Sequence, residues 1–452
     1  MSALSDNPPG PADLRPPSDV SAWVGLVGLL GLGAWVMICR NWPQIADALA
    51  LSGPRAPLSG PYAALSGLVF AGLPMVLWSL LVDKVHRDPA TGIDWSHPRP
   101  VSSIVDISIT KLAGLWATWA IIGFGYCLAR WYWDGDYHFA MEVLATAIVP
   151  LVLLSIPYVF WLDRVLIEPR DASWHFGALL IGREPFKGDA VWRHLRAWAV
   201  KGFFTAFMLS ILPGGFRSVT ETNLSAIAGN PVPLSRFLME SMFLIDAQIG
   251  TVGYLLTMKP LGAQIRTANP YLAGWLAALA CYPPFQLMAH GQPLYYGTAT
   301  SSWAYWYEGY TALLWVWGGV LVGLSGFYAW ATFAFGIRFS NLTYRGVVTN
   351  GPYRYTRHPA YLSKNVFWWM TTLPFLVTNG SMVDAIRNSF FLAGVSAIYY
   401  WRGLTEEKHL LAEDPKYREY YDWMARNALI TRSFIRLGEW LRGRRAAAPA
   451  VN

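Results

Sequence analysis

Between residues 22 and 402 the chain alternates long apolar stretches with short polar ones. The apolar stretches lie near 22–39, 63–82, 108–128, 140–162, 197–213, 237–257, 271–289, 309–336, 365–379 and 383–402. Most are close to 20 residues long, the length a helix needs to cross roughly 30 Å of hydrocarbon. The pattern predicts an all-α, polytopic transmembrane helix bundle of about ten spans. Its connections are rich in Pro and Gly, as in LSGPRAPLSGP. The loop over 290–308, HGQPLYYGTATSSWAYWYE, has no Lys or Arg and many Tyr and Trp, which fits an aromatic belt at the outer interface. Residues 1–20 read as a disordered tail, because no cleavage site follows them and no basic residue precedes their first prolines.

Composition agrees with a membrane protein. Of 452 residues 54% are hydrophobic and 14% charged, against about a quarter charged in soluble domains. The net charge of +7 is unevenly spread. One set of alternate connections holds Lys84, Arg87 and Arg99, then Arg164 through Arg196, then Lys259 and Arg266, then Arg338 through Lys364. The other set holds only Arg40, Arg55, Arg130, Arg217 and Arg236. The excess of positive charge on cytosolic loops puts the first set, residues 338–364 included, and both termini in the cytosol. These basic residues report topology and contact with anionic lipid, with no nucleic-acid partner. Cys39, Cys127 and Cys281 lie far apart in apolar runs, so they read as small buried residues rather than a disulfide framework.

Four regions follow: the tail 1–20; an N-terminal transmembrane region, 21–300, of unknown role; a region 301–432 with dense polar motifs beside its helices; and a basic C-terminal tail, 433–452. In the loop KVHRDPATGIDWSHPRP, His86, Asp88, Asp94 and His97 are metal-binding types. Pro and Gly interrupt any shared helical face, so a solvated loop is expected and no metal. Glu240 and Asp246 fall inside the sixth span, where a hydrogen bond to a neighbouring helix is expected over an ion pathway.

The chemistry concentrates in GPYRYTRHPAY, residues 351–361. Gly351-Pro352 marks a turn. His358-Pro359 reads as a helix start, with Pro where a missing N–H costs nothing. Flanked by Arg354 and Arg357, those first-turn N–H groups offer a seat for a carboxylate. Tyr361, then Lys364 or Asn365, would line the same pocket. After the tenth span comes YYWRGLTEEKHLLAEDPKYREYYDW, in which Arg402 and Glu406 share a helix face and Glu407 points about a third of a turn away. Taken alone, this is also how a helix end carries its charges into water.

In that order the two motifs resemble the isoprenylcysteine carboxyl methyltransferase family of integral-membrane enzymes, over roughly residues 310–430. The resemblance implies S-adenosylmethionine as methyl donor and a lipophilic acceptor entering from the bilayer, by family default the carboxylate of an isoprenylcysteine. It assigns Arg345, Gly346, Val347, Val348, Tyr353, His358, Pro359, Ala360, Tyr361 and Glu406 to the cofactor. Arg402 becomes the catalytic residue that orients the acceptor carboxylate. The chain departs from the family in having Glu413-Asp414-Pro415 where Phe-Gly is common, in Arg338 and Arg345, and in its extra N-terminal spans. Because a sulfonium methyl is already activated, no base, metal or covalent intermediate is needed. Positioning in a dry site can supply roughly 7–11 kcal/mol. Two other readings stand beside this one: an NADPH-dependent, sterol-reductase-like enzyme, and a non-enzymatic transporter or scaffold.

Overall fold

The structure, a computed structural model, describes residues 14–447. The long helices are α1 (Ala22–Arg40), α2 (Pro61–Leu77, continued by a π-helical turn Trp78–Val82), α3 (Val101–Leu128), α4 (Tyr137–Val165), α5 (Gly188–Glu221) and α6 (Pro231–Leu255). A short α7 (Leu272–Leu279) precedes α8 (Thr311–Phe335), α9 (Pro359–Thr372), α10 (Met382–Glu413), α11 (Pro415–Asn427) and α12 (Leu429–Ala447). Local signals set the starts. The Ser21 hydroxyl caps α1 by accepting from Trp23 N–H, Asn230 caps α6 ahead of Pro231, and Ser381 caps α10 by accepting from Asp384 N–H.

Among the described residues, six helices are long and apolar enough to cross a membrane: α1 to α5, and α8 with its extension to Arg338. Their outward faces carry exposed Leu30, Val69, Phe124, Val149, Leu153 and Val316. So much bare apolar surface would be untenable in water and suits lipid. The protein is an integral membrane helix bundle. Inside it, Leu32, Met75, Leu212, Phe216 and Ile249 form one core that continues to Ile337 and Val348, directly under the candidate site.

Four of the ten expected spans, at 237–257, 271–289, 365–379 and 383–402, are not among these six, and two of the four are not long helices. The stretch 271–289 is not one helix: α7 has eight residues, and turns follow past Pro283-Pro284, where prolines deny the helix its donors. The expected span at 365–379 is instead α9, whose 14 residues reach only about 21 Å. The chain nevertheless changes face between α7 and α8, because Ala299 accepts from Thr378 N–H, beyond the far end of α9. Turn residues Met288, Leu294 and Tyr296 pack against Leu392, Val395 and Tyr399 of α10. Irregular backbone at membrane depth is tolerated when it is covered by protein in this way.

The basic connections share one face. Ile93 bridges to Leu166, Lys259 pairs with Asp171, and Thr267–Ala268 pairs antiparallel with Thr343–Tyr344. On the opposite face Arg40 donates to the Val219 and Thr222 carbonyls.

The described end of the expected tail and the region near residue 300 both make contacts across the bundle. In the described part of the expected tail, Asp19 N–H donates to the Val347 carbonyl (2.8 Å), and Val347 N–H donates to the Asp19 carboxylate (2.8 Å). Thr349 bonds the Pro16 carbonyl and Asn350 the Val20 carbonyl, so this segment is built into the bundle. Residues 1–13 lie outside the described residues, as do 448–452 of the expected basic tail, whose earlier part belongs to α12. Residue 300 is not a packing boundary, since α8 lies along α6 and touches α1. At Gly25 of α1 a Cβ would sit 1.9 Å from the Phe333 carbonyl oxygen. Only glycine permits that approach.

Candidate functional site

Between α8, the connection 336–358, α9, α10 and α11 lies a cavity whose walls enclose about 1190 Å³, counting space open to solvent. Its lining joins both sequence motifs. Tyr353, His358, Ala360 and Tyr361 come from the first and Arg402 and Glu406 from the second, with Lys364 beside them and Tyr282 from the turns after α7.

His358 caps α9, as expected from its Pro359. Its ring stacks on Tyr361, 5.6 Å between centres, and its Nε2 lies 2.9 Å from Glu407 Oε1. Arg357 Nε contacts the same oxygen at 2.8 Å. Gly403 faces the ring at a distance where a Cβ would already press on it, 3.3 Å from Nε2. Glu407 therefore locks the two motifs together and is itself neutralised. Its neighbour Glu406 accepts a hydrogen bond from the Tyr361 hydroxyl and gives its remaining acceptor capacity to the cavity.

Arg402 is the least conventional group. It is 2% exposed, yet among the described residues no carboxylate forms an ion pair with it. Tyr361, Tyr399 and Tyr282 surround the guanidinium, with ring centres at 4.9, 5.1 and 5.5 Å. It makes a long bond to Asn341 Oδ1, 3.4 Å, and its Nε has no hydrogen-bond partner among the described residues. Asn341 is held in turn by the Tyr254 hydroxyl of α6. A buried cation is costly unless something compensates its charge. Aromatic faces supply part of that; the unpartnered Nε leaves room for an anion.

Other expected cofactor residues behave differently. Arg345 is buried, and its guanidinium ends on five carbonyls: Ala263, Gly253, Leu256, Ile337 and Phe339, with bonds of 2.8–3.0 Å to Gly253, Leu256, Ile337 and Phe339. Its side chain lines the cavity, but its N–H groups are spent on these carbonyls, so it acts first as a structural tie. Burial also pushes this guanidinium down, to about 9. The main chain of Val347 is likewise taken, by Asp19, leaving its side chain and that of Val348 as apolar lining. Gly346 has φ +117°, and a Cβ there would meet Arg338 and Asp19. Its role is to let the tail approach. Pro359 is buried beneath the start of α9, while Ala360 lines the cavity. Tyr353 also lines it, fixed edge-on against Phe335 and through its carbonyl, which accepts from the Tyr420 hydroxyl at 2.6 Å.

Asp246 is satisfied by the hydroxyls of Tyr328 (2.7 Å) and Thr332, and Glu240 by Ser218. Both acids have the interhelical hydrogen bonds expected of them. Sequence reasoning missed Tyr282, Asn341 and Tyr254, because a Tyr or Asn in a loop or apolar run carries no signal of which distant Arg it will face. Cys39 and Cys281 are buried, but Cys127 is exposed near the end of α3, contrary to expectation.

Residues 326–412 match the model of the isoprenylcysteine carboxyl methyltransferase (ICMT) family. No curated protein and no solved structure matches the chain. The matched segment runs from the middle of α8 to the end of α10 and contains His358, Tyr361, Arg402, Glu406 and Glu407. The stretch that matches this family is thus set within a larger membrane bundle.

Proposed function

We propose that the protein transfers a methyl group from S-adenosylmethionine to an anionic, lipophilic acceptor, of which an isoprenylcysteine carboxylate is the family example. The observation that carries this reading is Arg402: a buried cation with no acid paired to it, one helical turn from a carboxylate that faces the same cavity. The residues fit the cofactor. Glu406 has acceptor capacity left for an ammonium group, Tyr353 and Ala360 offer apolar walls, and His358, held by Glu407, forms the polar rim. When bound, the cofactor supplies an electrophilic methyl on sulfonium sulfur.

The chain's own contribution is placement. Arg402 presents a planar fork that can clamp a carboxylate through two parallel bonds. Its tyrosine cage stops it from swinging away, and Asn341 limits its rotation. The aromatic walls exclude water, which strengthens each polar contact within. No side chain has to move a proton, because a carboxylate is already a nucleophile. The basic face, with the tail and α11, is proposed to look into the cytosol.

Calorimetry on purified full-length protein tests the reading directly. S-adenosylmethionine should bind and NADPH should not, and labelled methyl should pass to a farnesylated cysteine with a free carboxylate. Binding of NADPH alone would overturn it in favour of a reductase.

A further inference from the structure

Next to Arg402 the cavity wall carries a second cation. Lys364 lies one turn along α9 from Tyr361 and lines the cavity with Tyr328, Tyr361, Tyr399 and Arg402. Its Nζ donates to the Tyr328 hydroxyl at 3.2 Å and sits 4.4 Å from the centre of that ring. The Tyr328 hydroxyl in turn donates to Asp246 Oδ2 at 2.7 Å, while the Thr332 hydroxyl caps the other oxygen. Bond directions along this chain are fixed by chemistry. An ammonium only donates and a carboxylate only accepts, so the tyrosine between them must accept from one and donate to the other.

The arrangement is asymmetric about the wall. Asp246 stands behind Tyr328 with both oxygens capped and is not among the cavity-lining residues. Lys364 stands in front, with one of its three N–H donors used by Tyr328. The negative charge is screened from the cavity and the positive charge faces it. With Arg402, two cations meet among tyrosine rings, a site for a ligand with an anionic head on an apolar body.

We propose that Lys364 is a second cation of the acceptor seat, holding the acceptor's anionic group jointly with Arg402, and that Asp246 from the N-terminal region positions it through Tyr328. This rests on the methyltransferase reading. It gives the N-terminal region a part in substrate choice, and it excludes neutral acceptors such as amides or alcohols. It also supplies a means of release. Transfer to a carboxylate oxygen forms a C–O bond and breaks the donor's S–CH3 bond, whose electron pair stays on sulfur. The product is a neutral ester, so both cations lose their partner at once.

The test compares farnesylthioacetate, a carboxylate on an apolar chain, with its primary amide, in full-length protein reconstituted in nanodiscs. The ratio of their dissociation constants is the readout, and S-adenosylhomocysteine affinity is measured on the same preparations. Wild type should prefer the carboxylate by about a hundredfold, and Lys364→Met should cut that preference by about tenfold. Lys364→Arg should retain it within about threefold. Because Lys364→Met leaves Asp246 without a cation, a Lys364→Met/Asp246→Asn double variant provides a charge-balanced version for which the same loss is expected. Asp246→Asn alone should lower the ratio while leaving S-adenosylhomocysteine affinity unchanged, an effect that loosened packing would not confine to the carboxylate. A double variant that keeps the wild-type ratio overturns the proposal. Failure of wild type to bind S-adenosylhomocysteine would defeat the cofactor reading instead, and the carboxylate-to-amide ratio would still decide the role of Lys364.

Discussion

Arg402 and Glu406 lie one turn apart on α10, yet they do not pair. Glu406 takes the Tyr361 hydroxyl, while Arg402 takes the face of the same tyrosine. A tyrosine inserted between two opposite charges keeps each available to a separate ligand group.

Replacing Arg402 with Lys tests what the fork does. Lys keeps the charge but loses planar, bidentate geometry. Cofactor affinity should stay near wild type while methyl transfer slows by about tenfold or more, since small misplacement of the nucleophile is expensive. Cofactor titration and single-turnover transfer on one preparation check this. Equal transfer rates would mean that Arg402 only fills space.

The two adjacent acids should separate cleanly. Glu406→Gln removes a charge-assisted bond to the cofactor, worth about 1.5–3 kcal/mol, so affinity should fall by roughly ten- to a hundredfold with little change in stability. Glu407→Gln leaves Arg357 and His358 facing a neutral amide. Removing one partner of a buried ion pair costs about 3–5 kcal/mol, so its main effect should be a lower unfolding midpoint. Thermal unfolding and calorimetry of both variants would reveal a reversed order.

For Arg345, the prediction is structural. Lys in its place reaches fewer of the five carbonyls, and each one left bare costs about 1–3 kcal/mol. Arg345→Lys should therefore lower thermal stability well before it changes cofactor affinity per folded molecule. A variant of normal stability that no longer binds the cofactor would restore Arg345 to the binding site.

Asp19 predicts a pH dependence for the docked tail. Burial pushes its carboxyl up, but hydrogen bonds from Lys416 and Val347 and the nearby charges of Lys416 and Arg338 outweigh that, and its pKa ends below the ordinary 3.8. A depressed carboxylate stabilises the docked state above its unfolded pKa. That stabilisation disappears as pH falls through the folded value, so docking should hold at neutral pH and weaken below about 4. Proteolytic cleavage around residues 14–20, followed from pH 6 to pH 3, should rise at the acid end. In Asp19→Asn cleavage should be high throughout.

The membrane class was legible because the bilayer imposes a length and a polarity on each span, and both are written locally. The His358-Pro359 helix start and the shared face of Arg402 and Glu406 were legible for the same reason: caps and i, i+4 spacing are short-range. Three things were not local. The fate of 271–289 turned on Pro283-Pro284 outweighing the apolar run around it. Arg345 was assigned to the cofactor by resemblance, and nothing near it in sequence reveals the five carbonyls gathered from 253–263 and 337–339. The division of labour between Glu406 and Glu407 depended on which of them His358 and Arg357 would reach, a matter of how two helices meet.

The tie at Arg345 has an implication for how freely the first 300 residues can vary. Its partners there are main-chain oxygens of Gly253, Leu256 and Ala263, and a carbonyl is present whatever side chain the residue bears. Leu256 and Ala263 can therefore be exchanged without erasing their half of the joint. Gly253 is the exception, since a Cβ there would lie 2.5 Å from the Phe339 carbonyl oxygen. The joint is specified from one side only: a single arginine codon on the catalytic side carries its chemistry, and the opposite side need keep little more than its backbone path and one glycine.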